Sequence, residues 1–195
     1  MDIEEMLYNA DVFRREGDYD EAISLYQKAV VLIEDHIDLK YRYETRIYRQ
    51  MCFCYRKIGK IDTAIHFGQK SVRSAKKNCM KYDQNKENRI ALANCYMNLG
   101  VVYDESKQYT EAVQYYQEGV DIFKGYCDED FAARNSYINA ILSIGTAMFQ
   151  LGQLDDSQIY FQHIINFMQS DKDDGRYIYA IKYINMIHQK KERTQ

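Results

Sequence analysis

Four stretches of the chain share one pattern of apolar and polar positions: GDYDEAISLYQKAV from Gly17, GKIDTAIHFGQKSV from Gly59, KQYTEAVQYYQEGV from Lys107 and GQLDDSQIYFQHII from Gly152. Each opens on a turn residue, places Tyr19, Ile61, Tyr109 or Leu154 two positions later, and follows it after three more with a small residue, Ala22, Ala64, Ala112 or Ser157. Aromatic residues then recur at helical spacing, as an amphipathic helix requires. Upstream of each turn lies a second amphipathic segment, MLYNADVFRRE, YRQMCFCYRKI, YMNLGVVYDES or ILSIGTAMFQL, with small residues Ala10, Cys52, Gly100 and Gly145 at one equivalent place. Small residues there let two helices approach closely. The predicted unit is helix, tight turn, helix, repeated four times.

This unit resembles the tetratricopeptide repeat, in which small and large residues interlock within an antiparallel helix pair. The resemblance covers nearly the whole chain and implies an all-α fold: a right-handed α-solenoid of four helix pairs plus a C-terminal capping helix. One domain over residues 1–195 is expected, with repeats at about 3–36, 38–83, 86–126 and 129–170 and the capping helix at about 175–192. The turn positions are 42, 48 and 45 residues apart, against about 34 in the usual unit. The chain has no proline to end the second helix, so the extra residues lengthen the helices. Repeats of this longer kind are similar to those of kinesin light chains, Pins-type mitotic scaffolds and Rap-type peptide-pheromone receptors.

Polar clusters at Glu34–Asp38, Lys81–Glu87, Gly125–Asp130 and Ser170–Gly175 mark the breaks between repeats. In the last segment Tyr177, Ile178, Ile181, Ile184 and Ile187 can share one face and close the open end of the stack, with the polar tail KKERTQ fraying beyond it. Tyr179, Tyr183 and Met186 then fall on the other side. Either a second surface covers them, a homodimer through the C-terminal helix being one way to supply it, or this helix begins an unfinished fifth repeat.

Composition narrows the class further. Hydrophobic residues make up 46% and charged residues 28% of the chain, and the mean hydropathy is -0.58; disorder and membrane spanning are both disfavoured. With 9 glycines and 19 tyrosines the chain does not read as a turn-rich β fold. The first residues carry neither a basic flank nor an apolar stretch, so a cytoplasmic location is expected. The formal charge of -3 hides a strong segregation: residues 1–39 carry -8, residues 40–89 carry +10 and residues 90–195 carry -5. A basic middle between acidic ends favours a short acidic peptide over a long polyanion such as nucleic acid, which would have to pass both acidic flanks.

No catalytic, cofactor or metal site is expected. His36, His66, His163 and His188 are far apart, and Cys52 and Cys54 would point about 200° apart on a helix. The five cysteines read as small buried packing groups. There is no glycine-rich phosphate loop and no nucleophile elbow. Among the tyrosines, Tyr19, Tyr26, Tyr55, Tyr103, Tyr109 and Tyr116 fall with Phe161 on helix-packing positions, whereas Tyr8, Tyr41, Tyr43, Tyr82 and Tyr126 are candidates for surface contacts.

In a stack of this family the first helix of each repeat lines the concave face. At 100° per residue the second repeat turns Tyr48, Met51, Cys52 and Tyr55 to the core and leaves Arg46, Arg49, Gln50, Phe53, Arg56 and Lys57 for the groove. The first repeat adds Glu4, Leu7, Tyr8, Asp11, Arg14 and Arg15; the third adds Asn94, Met97, Asn98, Val101, Asp104 and Glu105; the fourth adds Asn139, Leu142, Ser143, Thr146, Phe149 and Gln150. Asn94, Asn98 and Asn139 suit a peptide backbone, since one amide both donates and accepts. Arginines beside them favour ligand carboxylates or phosphates; the competing reading is that these charges merely solvate a helix surface. The carboxylate clamp of chaperone-binding tetratricopeptide domains is not matched, because its lysine and asparagine places hold Leu7 and Asp11. The expected function is a non-enzymatic adaptor that binds an acidic peptide or helix of a partner protein in this groove. The alternative is a regulatory receptor for a small signalling peptide that changes superhelical shape on binding.

Overall fold

The computed structural model describes residues 2–82 and 85–193. The expected end of the second repeat at residue 83 and the tip of the tail, residues 194–195, lie outside them. The described residues form α1 (Ile3–Glu16), α2 (Tyr19–Ile33), α3 (Ile37–Lys57), α4 (Ile61–Lys81), α5 (Lys86–Glu105), α6 (Tyr109–Lys124), α7 (Phe131–Gln150), α8 (Leu154–Phe167) and α9 (Gly175–Glu192). They fall into two compact units whose boundary lies inside α5, between Val102 and Tyr103.

The four tight turns are built alike. Gly17, Gly59, Lys107 and Gly152 take φ values of 95°, 77°, 62° and 77°, the left-handed region that ends a helix. The next amide, on Asp18, Lys60, Gln108 or Gln153, donates back to the carbonyl five residues earlier, at 2.9 to 3.0 Å. That bond satisfies an orphan carbonyl of the first helix and aims the second helix back along it. Three helices that begin outside these turns, α1, α7 and α9, use side-chain caps instead. Asp2 accepts from the Glu5 amide at 2.8 Å, Asp130 from Ala133 at 3.0 Å and Asp174 from Arg176 at 2.8 Å, each relieving one unpaired donor.

In the unit ending at Val102, α3 is buried on two sides. Cys52 and Cys54 are both sealed from solvent together with Ile47 and Met51, in one core with Leu7, Ala10, Ala22, Tyr26, Ala29 and Ile33. A hydrogen-bonded rib crosses between α3 and α4: Thr45 Oγ1 donates to Ser74 Oγ at 2.9 Å, and Asn78 Nδ2 to the Tyr41 carbonyl at 3.0 Å. Gly68 marks a very close approach, since a Cβ there would stand 2.7 Å from Leu99 Cδ1 and 3.2 Å from Cys52 Sγ.

The unit beginning at Tyr103 is packed with rings. Tyr116, Phe123 and Phe161 are fully buried. Phe161 lies over Gly145, where a Cβ would meet the ring at 3.1 Å. Ser157 Oγ donates to the Gly145 carbonyl at 2.7 Å, tying α8 to α7 where they are closest.

Three sequence expectations need correction. Tyr43 is 5% exposed rather than a surface group, because its hydroxyl reaches across to the Glu4 carboxylate. Leu7 belongs to the core and not to the groove side of α1. In α9 the buried residues are Ala180 and Ile187, while Ile178 is 57% and Ile181 37% exposed. Rings decide that rotation: Tyr183 stacks on Phe161 at 4.7 Å and meets Phe149 edge-on at 5.3 Å, and Ala180 on the same face allows the approach.

Candidate functional site

Within the first unit, α1 and α3 bring five of the predicted groove residues together. Phe53, half-buried on α3, is the centre. The Arg14 guanidinium lies 5.4 Å from its ring centroid, Arg56 5.2 Å and the Lys57 ammonium 5.6 Å, all within the range of cation–π attraction. Tyr19 completes the setting edge-on at 6.1 Å. Three cations around one ring repel one another, and the ring's negative face offsets part of that cost.

Arg46 and Arg14 also share a counter-charge. Arg46 Nη2 donates to Asp11 Oδ2 at 2.5 Å, Arg14 Nε stands 3.7 Å from Asp11 Oδ1, and the Tyr26 hydroxyl donates to Asp11 Oδ1 at 2.5 Å. Burial alone would push the Asp11 carboxyl up, but the bonds from Tyr26 and Arg46 and the nearby guanidinium charges hold it below its ordinary 3.8. The same burial and contact push the Tyr26 phenol up, so it stays a donor. Arg14 Nε is nonetheless buried with no hydrogen-bond partner. Asp11 thus offsets only part of the positive charge.

The remaining predicted residues are more dispersed. Arg15 is exposed and donates to its own helix, Nε to the Asp11 carbonyl at 3.2 Å. Arg49 and Gln50 are half-buried on α3, and Asn94 and Asn98 half-buried on α5. Asn139 belongs to the second unit and is exposed on α7, where it lines an open groove of about 450 Å³ with Asp104, Leu142, Ser143 and Thr146. Four of those five residues fall on the predicted groove side of α7, and Asp104 on that of α5.

Cys52, Cys54 and Cys95 are buried thiols. Burial pushes Cys52 and Cys54 up to about 12 and Cys95 up to about 11, so they stay protonated and serve packing. Among the described residues no group of three or more His, Cys, Asp or Glu side chains is placed to hold a metal ion. No helix among them is long and apolar enough to cross a membrane.

Two tetratricopeptide-repeat family models match the chain, over residues 2–77 and 92–130, together more than half of its length. The chain belongs to the tetratricopeptide-repeat family. Solved structures of similar fold span nearly all of it. A Podospora anserina putative kinesin light chain with nearly identical tetratricopeptide-like repeats superposes with a TM-score of 0.74 at 13% identity, covering 98% of this chain and 87% of the other. BtubC (BKLC) from P. vanneervenii gives 0.72 at 17% identity, covering 96% and 72%. The apo form of RapI gives 0.77 at 11% identity, covering 96% of this chain and 48% of RapI. No curated protein matches the chain by sequence. At these identities the likeness is one of fold: an all-α tetratricopeptide solenoid. The general use of the family's repeats is protein–protein interaction.

Proposed function

We propose that this tetratricopeptide protein is a non-enzymatic, cytoplasmic adaptor, and that the face of α1 and α3 holds an acidic peptide or helix of a partner protein. One observation carries the reading: Arg14, Arg56 and Lys57 converge on the half-buried Phe53 ring, with Arg46 alongside at Asp11. A ligand carboxylate placed there would meet several guanidinium and ammonium donors at once, and an apolar ligand side chain would find the uncovered part of the ring. Arg49, Gln50, Asn94 and Asn98 extend the proposed surface, the asparagines toward the ligand backbone. Asp11 and Tyr26 act here as positioning groups.

The test is selection from a displayed library of random peptides on the full chain. Peptides rich in Asp and Glu beside an apolar residue are expected, with binding that weakens as salt rises. Reversing Arg56 and Lys57 to Glu should weaken a selected peptide by at least about tenfold, roughly 1.4 kcal/mol. The same reversal of the exposed Lys76 and Lys77 on α4 is the control; equal losses would assign binding to a diffuse field and overturn the site. Solution scattering with the bound peptide separates the adaptor from the alternative receptor: an adaptor keeps its dimensions and a receptor compacts.

A further inference from the structure

The second unit contains a site of the opposite sign. Its groove of about 450 Å³ lies among the last turn of α5, the middle of α7 and the start of α9, lined by Asp104, Asn139, Leu142, Ser143, Thr146 and Tyr179. Asp104 is half-buried, and among the described residues no side chain forms an ion pair or hydrogen bond with its carboxylate. Burial and the neighbouring Glu105 charge both raise its pKa above 3.8, the mark of a carboxylate short of positive charge.

The cation in the groove wall is already committed. Arg176 Nε and Nη2 donate to the two Asp174 oxygens at 2.9 and 2.6 Å, and its Nη1 donates to Asn135 Oδ1 at 2.8 Å. With Asp174 neutralising it, Arg176 leaves the groove's net charge negative. The other wall groups are neutral. Thr146 gives its hydroxyl proton to the Leu142 carbonyl at 2.9 Å and is also hydrogen-bonded with Tyr183, and Tyr179 donates to the Tyr183 hydroxyl at 3.2 Å. Acceptors and one carboxylate around an apolar floor at Leu142 match a cation on an aliphatic stem.

We infer that this groove takes a lysine or arginine side chain of a bound peptide, with Asp104 as its counter-charge and the Asn139 amide engaging the peptide backbone. The inference goes beyond the proposed function and does not rest on it, since the unit, the ligand charge and the test are all different.

The test uses the full chain and follows the Leu142 and Thr146 methyl signals by nuclear magnetic resonance during titration with N-acetyl-lysine N-methylamide. Saturable shifts are expected. The norleucine analogue, which lacks only the ammonium, should bind about tenfold more weakly, and Asp104→Asn should weaken the lysine compound by a similar factor. A urea midpoint for Asp104→Asn no lower than that of the wild type confirms that folding is intact. Butylamine, with the ammonium but no amides, should also bind more weakly than the lysine compound, and Asn139→Ala should erase that difference. The inference falls if the lysine compound produces no shift, if norleucine or glutamate analogues bind as well, or if Asp104→Asn binds the lysine compound undiminished. Butylamine binding as tightly as the lysine compound would overturn the peptide reading and leave a site for free amines.

Discussion

The second repeat, in the unit ending at Val102, and the fourth, in the unit beginning at Tyr103, solve the same packing problem with the volumes exchanged. Nine residues after the turn, the second helix carries Tyr26, Gly68, Tyr116 and Phe161 in the four repeats. In the fourth, the Phe161 ring covers Gly145 of the facing helix. In the second repeat the facing residue is the larger Cys52 and the ring is missing: Gly68 lies against Cys52 Sγ, and Leu99 of α5 occupies the space beside it. Large on small has become small on large, with the remainder filled by the next helix. The repeat therefore specifies a summed volume at this contact and not a residue at each position. Polar surfaces differ as sharply, since cations crowd an aromatic ring in one unit and a single carboxylate faces an open groove in the other.

The comparison breaks most visibly at Phe161. Phe161→Ala removes the ring held between Gly145 and Tyr183 and should cost about 3–5 kcal/mol. Amide hydrogen exchange reads that loss locally: protection is expected to fall in α7, α8 and α9 and to persist in α1 to α4. Equal loss in both regions would mean that the chain unfolds as one body. Gly68→Phe is the complementary test. It restores the aromatic found in the other three repeats, so repeat logic alone expects stabilisation. The structure expects the reverse, a loss of about 3 kcal/mol, because the site of the new side chain is already filled by Leu99. Combining it with Leu99→Ala should recover part of the loss, and a double-mutant cycle measures how much.

These cases show where sequence reading succeeds and where it stops. The helix pairs are legible because the turn residue, the small residue and the helical apolar period recur four times, and each has a local physical cause. The convergence of Arg14, Arg56 and Lys57 with Phe53 is legible too, since 100° per residue places them on the outward sides of neighbouring helices. What the sequence hides depends on partners far along the chain. Tyr43 looks like any surplus tyrosine until Glu4 is beside it. The rotation of α9 is set by Phe149 and Phe161, and by Tyr183, which its isoleucine count disguises. Asp104 sits beside Glu105 in an ordinary acidic turn, and nothing in its neighbours predicts that Arg176, the cation at hand, is spent on Asp174.

Charge supplies the next test of the comparison. In the first unit Asp11→Asn would leave Arg46 and the Tyr26 hydroxyl with a weaker acceptor, at a cost of about 1.5–3 kcal/mol at neutral pH. The sign of the pH dependence follows from the depressed carboxyl. Its stabilisation is complete above the unfolded value near 3.8 and is lost as pH falls through the lower folded value. Wild type and Asp11→Asn should therefore converge in stability as acid is added below pH 3.8. Asp104 in the second unit is raised instead, so its ionisation opposes folding, and Asp104→Asn should be neutral or mildly stabilising at pH 7. Parallel acid unfolding of wild type and Asp11→Asn would show that the Asp11 cluster contributes nothing to stability.

The smallest effect concerns the one place where the turns differ. Lys107 adopts φ 62° where the other repeats have glycine. A side chain in that region costs about 1–2 kcal/mol, and glycine gives back part of the gain by adding freedom to the unfolded chain. Lys107→Gly should therefore stabilise by about 0.5–1 kcal/mol, seen as a higher urea midpoint at unchanged slope. The converse, Gly152→Lys, should destabilise by a similar amount, because a Cβ at Gly152 has no neighbour within 4 Å and only the backbone angle is strained. If both substitutions proved neutral, the left-handed turn would not limit stability in either unit. If Lys107→Gly were destabilising, the lysine side chain would hold the third turn through contacts of its own, and the four turns would no longer be equivalent.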